Sequence, residues 1–447
     1  MKIFLNIVVF IIAGFSSLNS QWVQVASLVN TGTFPNVSVV NSNLIFIAGG
    51  PNSLPFVARS TNGGTNFVNL PTNGLNLELY SIWAIDENTI FVGDGGAAGG
   101  AGGDAKIFKT TNAGINWINI LSTGGTSGFI NGIVFSRTNP QVGVIQSDPP
   151  TGTIYWIAKT TNSGQNWIIE NPPSSGAGSA QNSIVVIDQN FYGFGLNQTP
   201  ARVGLTSNGG INWAFTPLVG LGGTSTFISG FAFNTDKING LASNNSTTNS
   251  ISRTTNGGLS WFQQIIPNSS SSAYCNIKFV PGTDVCYIVL GTANGSQSFK
   301  SNNNGNNWTT LTMPANLNIT HFDLIKSGNS ITAFAVSNTG VVLKLTDNIT
   351  GIKEYYTQNP SKYHLAQNFP NPFNPVTQIN YEIVEAGKVE ISVFNVLGER
   401  VTEIVNEYKK SGKYTVLFDS KEIPSGVYFY TMRINGYIET RKMIMLE

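Results

Sequence analysis

Asp94, Asp104 and Asp148 are the residues of this 447-residue chain best placed for chemistry, since each follows a predicted second strand where loops can reach one face. Two carboxylates across a cleft can protonate a leaving oxygen and activate its attacker, which is the chemistry of glycoside hydrolysis. Asp86, Asp188, Asp236 and Asp284 recur in first hairpin turns, where aspartate serves the turn itself. His321 and His364 are the only histidines and fall in different parts of the chain, so no metal or cofactor is expected. The run Gly93–Asp104 lacks the Gly-Lys-Ser/Thr that closes a phosphate loop. It matches G-G-x-G-x-D once, with Lys106 at the aliphatic position, and reads as a flexible insertion between strands. Tyr80, Trp83, Tyr155, Trp156, Tyr192, Tyr274 and His321 could form a recognition surface on a concave face. The alternative, that these rings fill the space between sheets, stays open at this point.

The elements that must position these residues come from a repeated phrase. RSTNGGTNF (59–67), KTTNAGINW (109–117), KTTNSGQNW (159–167), LTSNGGINW (205–213), RTTNGGLSW (253–261) and KSNNNGNNW (300–308) end in aromatics about 46 to 50 residues apart. That spacing suits a propeller blade. Alternating apolar residues precede each copy, as in KIFKTT (106–111), and predict a strand. Asn-x-Gly then supplies a tight turn, because Asn caps amides and Gly tolerates positive φ. The closing Trp begins the next strand. Two earlier strands, such as Tyr80–Ile85 and Thr89–Gly93, complete four per repeat.

Seven residues occupy the position before the turn: Arg59, Lys109, Lys159, Leu205, Arg253, Lys300 and Lys344. Seven aromatics follow it: Trp22, Phe67, Trp117, Trp167, Trp213, Trp261 and Trp308. The aromatic series starts first and the other ends last. Pairing the orphan strand at Trp22 with the strand at Lys344 closes a ring and removes exposed sheet edges. The expected fold is therefore all-β: a seven-bladed β-propeller over 21–352, followed by a small immunoglobulin-like β-sandwich.

The phrase resembles the Asp-box of sialidase-type (BNR) propellers, S-x-D-x-G-x-x-W, and is similar to the boxes of photosystem II assembly-factor-like and sortilin-like propellers. Asn replaces the Asp in all six clear copies (Asn62, Asn112, Asn162, Asn208, Asn256 and Asn303). The box is a peripheral turn, so Asn can keep the capping role without the charge. Sialidase chemistry, which the resemblance raises, needs an arginine triad, a Tyr/Glu pair and an Asp acid. The propeller holds only Arg59, Arg137, Arg202 and Arg253, and the first and last belong to the peripheral phrase. A non-enzymatic propeller that binds a glycan or protein is the expected function, with a sialidase-like glycoside hydrolase as the alternative.

Composition fixes the compartment. The apolar run Ile3–Gly14 after Met1-Lys2 predicts a signal peptide over 1–20, too short to span a bilayer. No other segment suits a membrane span, and a net charge of +1 gives no electrostatic case for nucleic acid. About 22 of the 47 charged residues follow Ile352, which marks a boundary and a linker over 353–366. Cys275 and Cys286 lie on adjacent strands, but the simplest register opposes Cys286 to Phe279, so a disulfide is not assumed.

From 367 to 447, alternating segments such as Ile379–Val384 and Val389–Phe394 predict a small antiparallel sandwich. NFPNPFNP (368–375), VFNVLGERV (393–401), SGVYFY (425–430) and RKMIM (441–445) resemble, in order, the type A sorting domain of the type IX secretion system of the Bacteroidetes and their relatives. The resemblance implies a translocon partner, passage through the periplasm, and a destination in the medium or at the cell surface. It points to Asn371, Pro372, Phe373, Asn374, Pro375, Gly398, Gly426, Lys442 and Met443 as sorting-signal residues. Tyr428, Phe429 and Met443 are candidates either for the docking surface or for the core.

Overall fold

The computed structural model describes residues 21–349 and 363–446, apart from 52, 174–175, 177, 179–180, 222–224, 246–248, 271–273, 293–294, 410–411 and 421–422. The expected signal peptide and most of the expected linker lie outside the described residues. The chain divides into two compact units, Met1–Gly351 and Ile352–Glu447. Strands dominate both, and among the described residues the one helical element is a 3-10 turn at Ala98–Gly100.

The first unit is a β-propeller of seven four-stranded antiparallel sheets. We number the blades by their inner strands: Asn36–Val39 (blade 1), Leu79–Ala84 (2), Ile130–Phe135 (3), Ile184–Val186 (4), Ile228–Phe233 (5), Tyr274–Phe279 (6) and Ile319–Ser327 (7). Each inner strand contacts the next, and the last returns to the first. Trp22–Ser27 is the outer strand of blade 7, with Trp22 opposite Leu345, so the chain's two ends share one blade as the paired series require. Middle strands such as Ile45–Gly49 are buried along their whole length, because each sheet is covered on both faces by its neighbours. Outer strands such as Ile118–Ser122 stay largely exposed.

Six repeated turns share one geometry. A Ser or Thr hydroxyl (Ser60, Thr110, Thr160, Thr206, Thr254, Ser301) donates to the turn Asn and accepts the N–H of the glycine four residues on. The Asn Oδ1 accepts the amide four residues beyond itself at 2.9–3.0 Å in every copy. This bond needs an acceptor and no charge, which is why Asn suffices. Gly258, at φ +83, has a second reason to be glycine: a Cβ there would lie 2.5 Å from Leu205 of blade 4.

The basic residue before each turn has a role that its periodicity alone does not reveal. Lys109 donates to Gly164 O, Lys159 to Gly209 O, Arg253 to Asn304 O and Lys344 to Gly63 O, each in the next blade's turn. These cations fasten blades 2, 3, 5 and 7 to the blades that follow them, while blade 4 has Leu205 at this position. Blade 7 has no such turn, and Lys300 instead pairs with Asp347 at 2.6 Å. Cys275 and Cys286 are buried free thiols, opposite Leu290 and Phe279 respectively.

The second unit is a two-sheet sandwich with one core. One sheet runs His364–Leu365, Val376–Ile383, Gly412–Asp419; the other runs Arg400–Lys409, Gly387–Phe394, Gly426–Ile434, Tyr437–Met445. Ile379, Tyr381, Ile391, Val393, Tyr430 and Met443 meet between them.

Candidate functional site

The inner strands of a propeller present a free edge to the central channel, and each exposed N–H and C=O there needs a partner. Polar side chains supply them. Val37 N–H donates to His321 Nδ1 at 3.2 Å, Val39 N–H to Asp323 Oδ2 at 2.8 Å, and Ala84 N–H to Ser38 Oγ at 3.0 Å. Asn36 Nδ2 reaches Tyr80 O, Asn276 Nδ2 reaches Thr320 O, and Thr320 Oγ1 reaches Pro35 O. Blade-to-blade bonding thus lines the channel with Asn, Ser, Thr, His and Asp.

At the end where the inner strands begin, aromatic rings from several blades converge. Phe34 lies 6.2 Å from Tyr80 and 6.0 Å from Tyr274, and Tyr80 lies 4.7 Å from Phe129. Phe34 is 36% exposed, Phe129 and Tyr274 are half-buried, and Tyr80 lies beneath them. Burial, with the Glu78 carboxylate beside it, pushes the Tyr80 hydroxyl well above the usual phenol range. The glycine-rich run packs on these rings: a Cβ at Gly100 would fall 2.7 Å from the Tyr80 hydroxyl and 2.9 Å from Phe129. The run is therefore glycine-rich so that it can lie flat on two aromatic faces, and the expectation of a loose insertion is corrected. Asn182 Nδ2 donates to Asn36 Oδ1 and Asn131 Nδ2 to Asp148 Oδ1 at the same end. A mouth of aromatic faces and amides suits recognition of a neutral polar ligand.

The residues expected from sequence divide sharply. Tyr274 is half-buried where the inner strands begin, and Tyr80, 5% exposed, contributes there only as the ring beneath Phe34 and Phe129. Tyr155 and Tyr192 are fully buried, and Trp83 and Trp156 are nearly so. Tyr155 donates to Gly178 O, and burial pushes its hydroxyl up to about 12. As they stand, these four offer a ligand little or nothing, because they fill the space between sheets. Phe34 and Phe129 were missed: neither is periodic, and only ring closure brings them beside Tyr80 and Tyr274.

Burial raises the Asp94 pKa, and the Asp104 charge nearby adds to the shift. Asp94 accepts the N–H groups of Gly96 and Lys106, and Asp104 accepts that of Gly124. Both act as turn caps, and only Asp148 stays beside the mouth. Arg59 pairs with Glu87 at 3.1 Å and Arg253 reaches Asn304, both on the periphery, so no arginine triad forms. No cluster of three potential metal ligands occurs among the described residues.

His321 sits in the channel wall as a neutral imidazole. Nδ1 accepts from Val37, leaving the proton on Nε2, which is buried without an acceptor among the described residues. Burial, assisted by the Lys278 charge, lowers its pKa to about 3 from the usual 6.5. An unfolded chain takes up a proton below pH 6.5 that the folded one refuses. Stability is thus lost as pH falls from about 6.5 towards about 3, at roughly 1 kcal/mol per pH unit. Urea midpoints for wild type and His321→Gln at pH 7.5 and pH 5 test this; the variant should lose much of the pH dependence. All eight tryptophans precede Ile352, so their fluorescence reports the propeller alone in the intact chain.

In the second unit the expected sorting-signal residues knit the chain end to the sandwich. Phe373 is buried, donates its N–H to Ile444 O, and accepts from Leu446 N–H. Asn371 Oδ1 accepts Ile444 N–H at 2.9 Å, and Asn368 Nδ2 reaches Thr377 Oγ1 and Pro370 O. Met443 and Tyr428 are core residues, whereas Lys442 is exposed. Gly398, at φ +80 in a turn capped by Asn395, needs glycine for its backbone alone.

A closed ring of four-stranded blades with a polar channel defines a β-propeller, and solved structures agree. The chain is similar to YCF48 in a structure described as bound to D1 peptide (TM-score 0.52, 14% identity, 74% of this chain and 97% of that one). It is likewise similar to an ancestral GH74 enzyme (TM-score 0.52, 14% identity, 96% of this chain and 55% of that one), spanning about half its length. Comparison with curated proteins finds no match. Residues 367–446 match the family described as the secretion system C-terminal sorting domain. The protein is a propeller carrying a type IX sorting tail, exported to the cell surface or medium.

Proposed function

We propose that this protein is an exported, non-catalytic binding propeller whose ligand, a glycan or a protein segment, docks on the mouth formed by Phe34, Tyr80, Phe129 and Tyr274. The observation that carries the reading is the continuous line of rings from Tyr274 through Phe34 and Tyr80 to Phe129. Aromatic faces bind with large area and little loss of side-chain freedom, and the neighbouring amides supply direction. The fold alone does not decide between binding and catalysis. Capping by Asp94 and Asp104 weighs against a hydrolytic pair, and supports recognition.

Glycan-array and pulldown screening of the secreted protein identifies the ligand, and Phe34→Ala and Tyr274→Ala are then compared with wild type. Each is expected to weaken binding at least tenfold, by about 1.4 kcal/mol or more, with an unchanged unfolding midpoint. Unaltered binding in both variants removes the mouth as the site. Turnover of a bound glycan, abolished by Asp148→Asn, would establish the hydrolase alternative instead.

A further inference from the structure

At the other end of the channel, among the first hairpin turns, a cavity of about 90 Å³ opens between the inner strands of blades 2 to 7. Its charged wall residues are Arg137, Lys278 and Asp323. Asp323 accepts Val39 N–H and pairs with Arg137, both through Oδ2. Arg137 is engaged as well, donating to Val39 O at 2.8 Å and lying 4.3 Å over the Trp83 ring. Lys278 differs: it makes no direct hydrogen bond or ion pair with any described residue, the Asp323 charge reaches it only from a distance, and burial lowers its pKa.

With Lys278 protonated, two cations face one carboxylate on this wall, and burial works against that second positive charge. A charge held away from bulk water is costly unless a counter-charge joins it. The remaining wall combines apolar surface, including Phe135, Ile187 and Phe279, with the hydroxyl-bearing Thr138 and Thr235. The cavity of about 90 Å³ opens to solvent, so it admits a small group that a larger ligand could also present at its end. Apolar walls also disfavour multiply charged, strongly hydrated anions such as sulfate. A small monoanion meets these limits, and a carboxylate on a short apolar stem also uses the apolar wall.

We propose that Lys278 and Arg137 bind a small monocarboxylate in this cavity, at a site separate from the aromatic mouth. The carboxylate takes the ammonium of Lys278 and the free guanidinium edge of Arg137, and its stem lies against Phe135 and Phe279. The proposal concerns the far end of the channel, so it stands or falls independently of the ligand at the mouth.

The test uses the full chain in sodium acetate, propionate or butyrate against sodium chloride at matched ionic strength and pH 7.5. Ligand binding to the folded state raises the tryptophan-reported unfolding midpoint in a saturable way. Wild type should show that rise, and Lys278→Met should weaken binding at least tenfold. Calorimetric titration of wild type with butyrate keeps the question answerable if Lys278→Met fails to fold. A short peptide with a free C-terminus, compared with its amide, separates a peptide-borne carboxylate from a free acid. No carboxylate-specific rise or heat in wild type, or equal affinity in the variant, overturns the proposal.

Discussion

Replacing Asp323 with alanine is expected to lower the stability of the propeller by about 3–5 kcal/mol, because it breaks a buried charge network from one side. The carboxylate is 4% exposed and joins three blades: its own blade 7, blade 1 through Val39 N–H, and blade 3 through Arg137. Burial alone would raise its pKa. The charges of Arg137 and Lys278 and the bonds from Val39 and Arg137 overcome that and hold it below the usual carboxylate range. Removing it leaves the Val39 N–H without its acceptor and Arg137 without its paired anion, beside the Lys278 charge. Asp323→Asn keeps an oxygen for Val39 but not the charge, and should fall between the two.

The sign of the pH effect follows from the same shift. A carboxyl whose folded pKa is depressed contributes stability above its unfolded value of about 3.9, and that stability is lost as pH falls towards the folded value. The gap between wild type and Asp323→Ala should therefore be full at pH 7 and narrow below about pH 4. Urea unfolding followed by tryptophan fluorescence measures it. A gap below about 1 kcal/mol at pH 7 would mean that the network does not hold the ring.

The peripheral turns were legible from sequence because they are local. Asn62 and Asn66 lie four residues apart, and one short window contains the hydroxyl, the Asn and the glycine that make the turn. Ring closure was also legible, since a surplus Trp22 and a surplus Lys344 admit one pairing. The mouth was not. Positions 34, 80, 129 and 274 are separated by blade-length stretches, and which residue of an inner strand faces the opening depends on blade tilt. Alternation also loses its meaning in middle strands, which are covered on both faces. Tyr192 in such a strand looks like a platform and is core. Arg137 stands out only as an arginine outside the repeated phrase; its partner Asp323 lies 186 residues away, and nothing local links them.

Deleting residues 367–447 is expected to abolish delivery to the surface and medium, leaving the propeller folded in the periplasm. The physical reason is a separation of tasks. The propeller's hydrophobic clusters are drawn from its own blades, and the sandwich has its own core around Val389, Ile391, Tyr430 and Met443. Removal of one unit therefore takes away an address and not a foundation. Point changes in the sorting motif act differently from deletion, because Asn371 and Phe373 pin the last strand through Ile444 and Leu446. Phe373→Ala removes a buried ring, which typically costs about 3–5 kcal/mol, and should impair export by loosening the whole sandwich. Export is followed by immunoblotting of cell fractions, with protease resistance reporting the fold of the sandwich. Lys442, exposed on that strand, separates the two effects: Lys442→Ala should leave the fold intact, so any export loss there reports contact with the translocon. Unchanged surface delivery after the full deletion would overturn the assignment of the tail as the sorting signal.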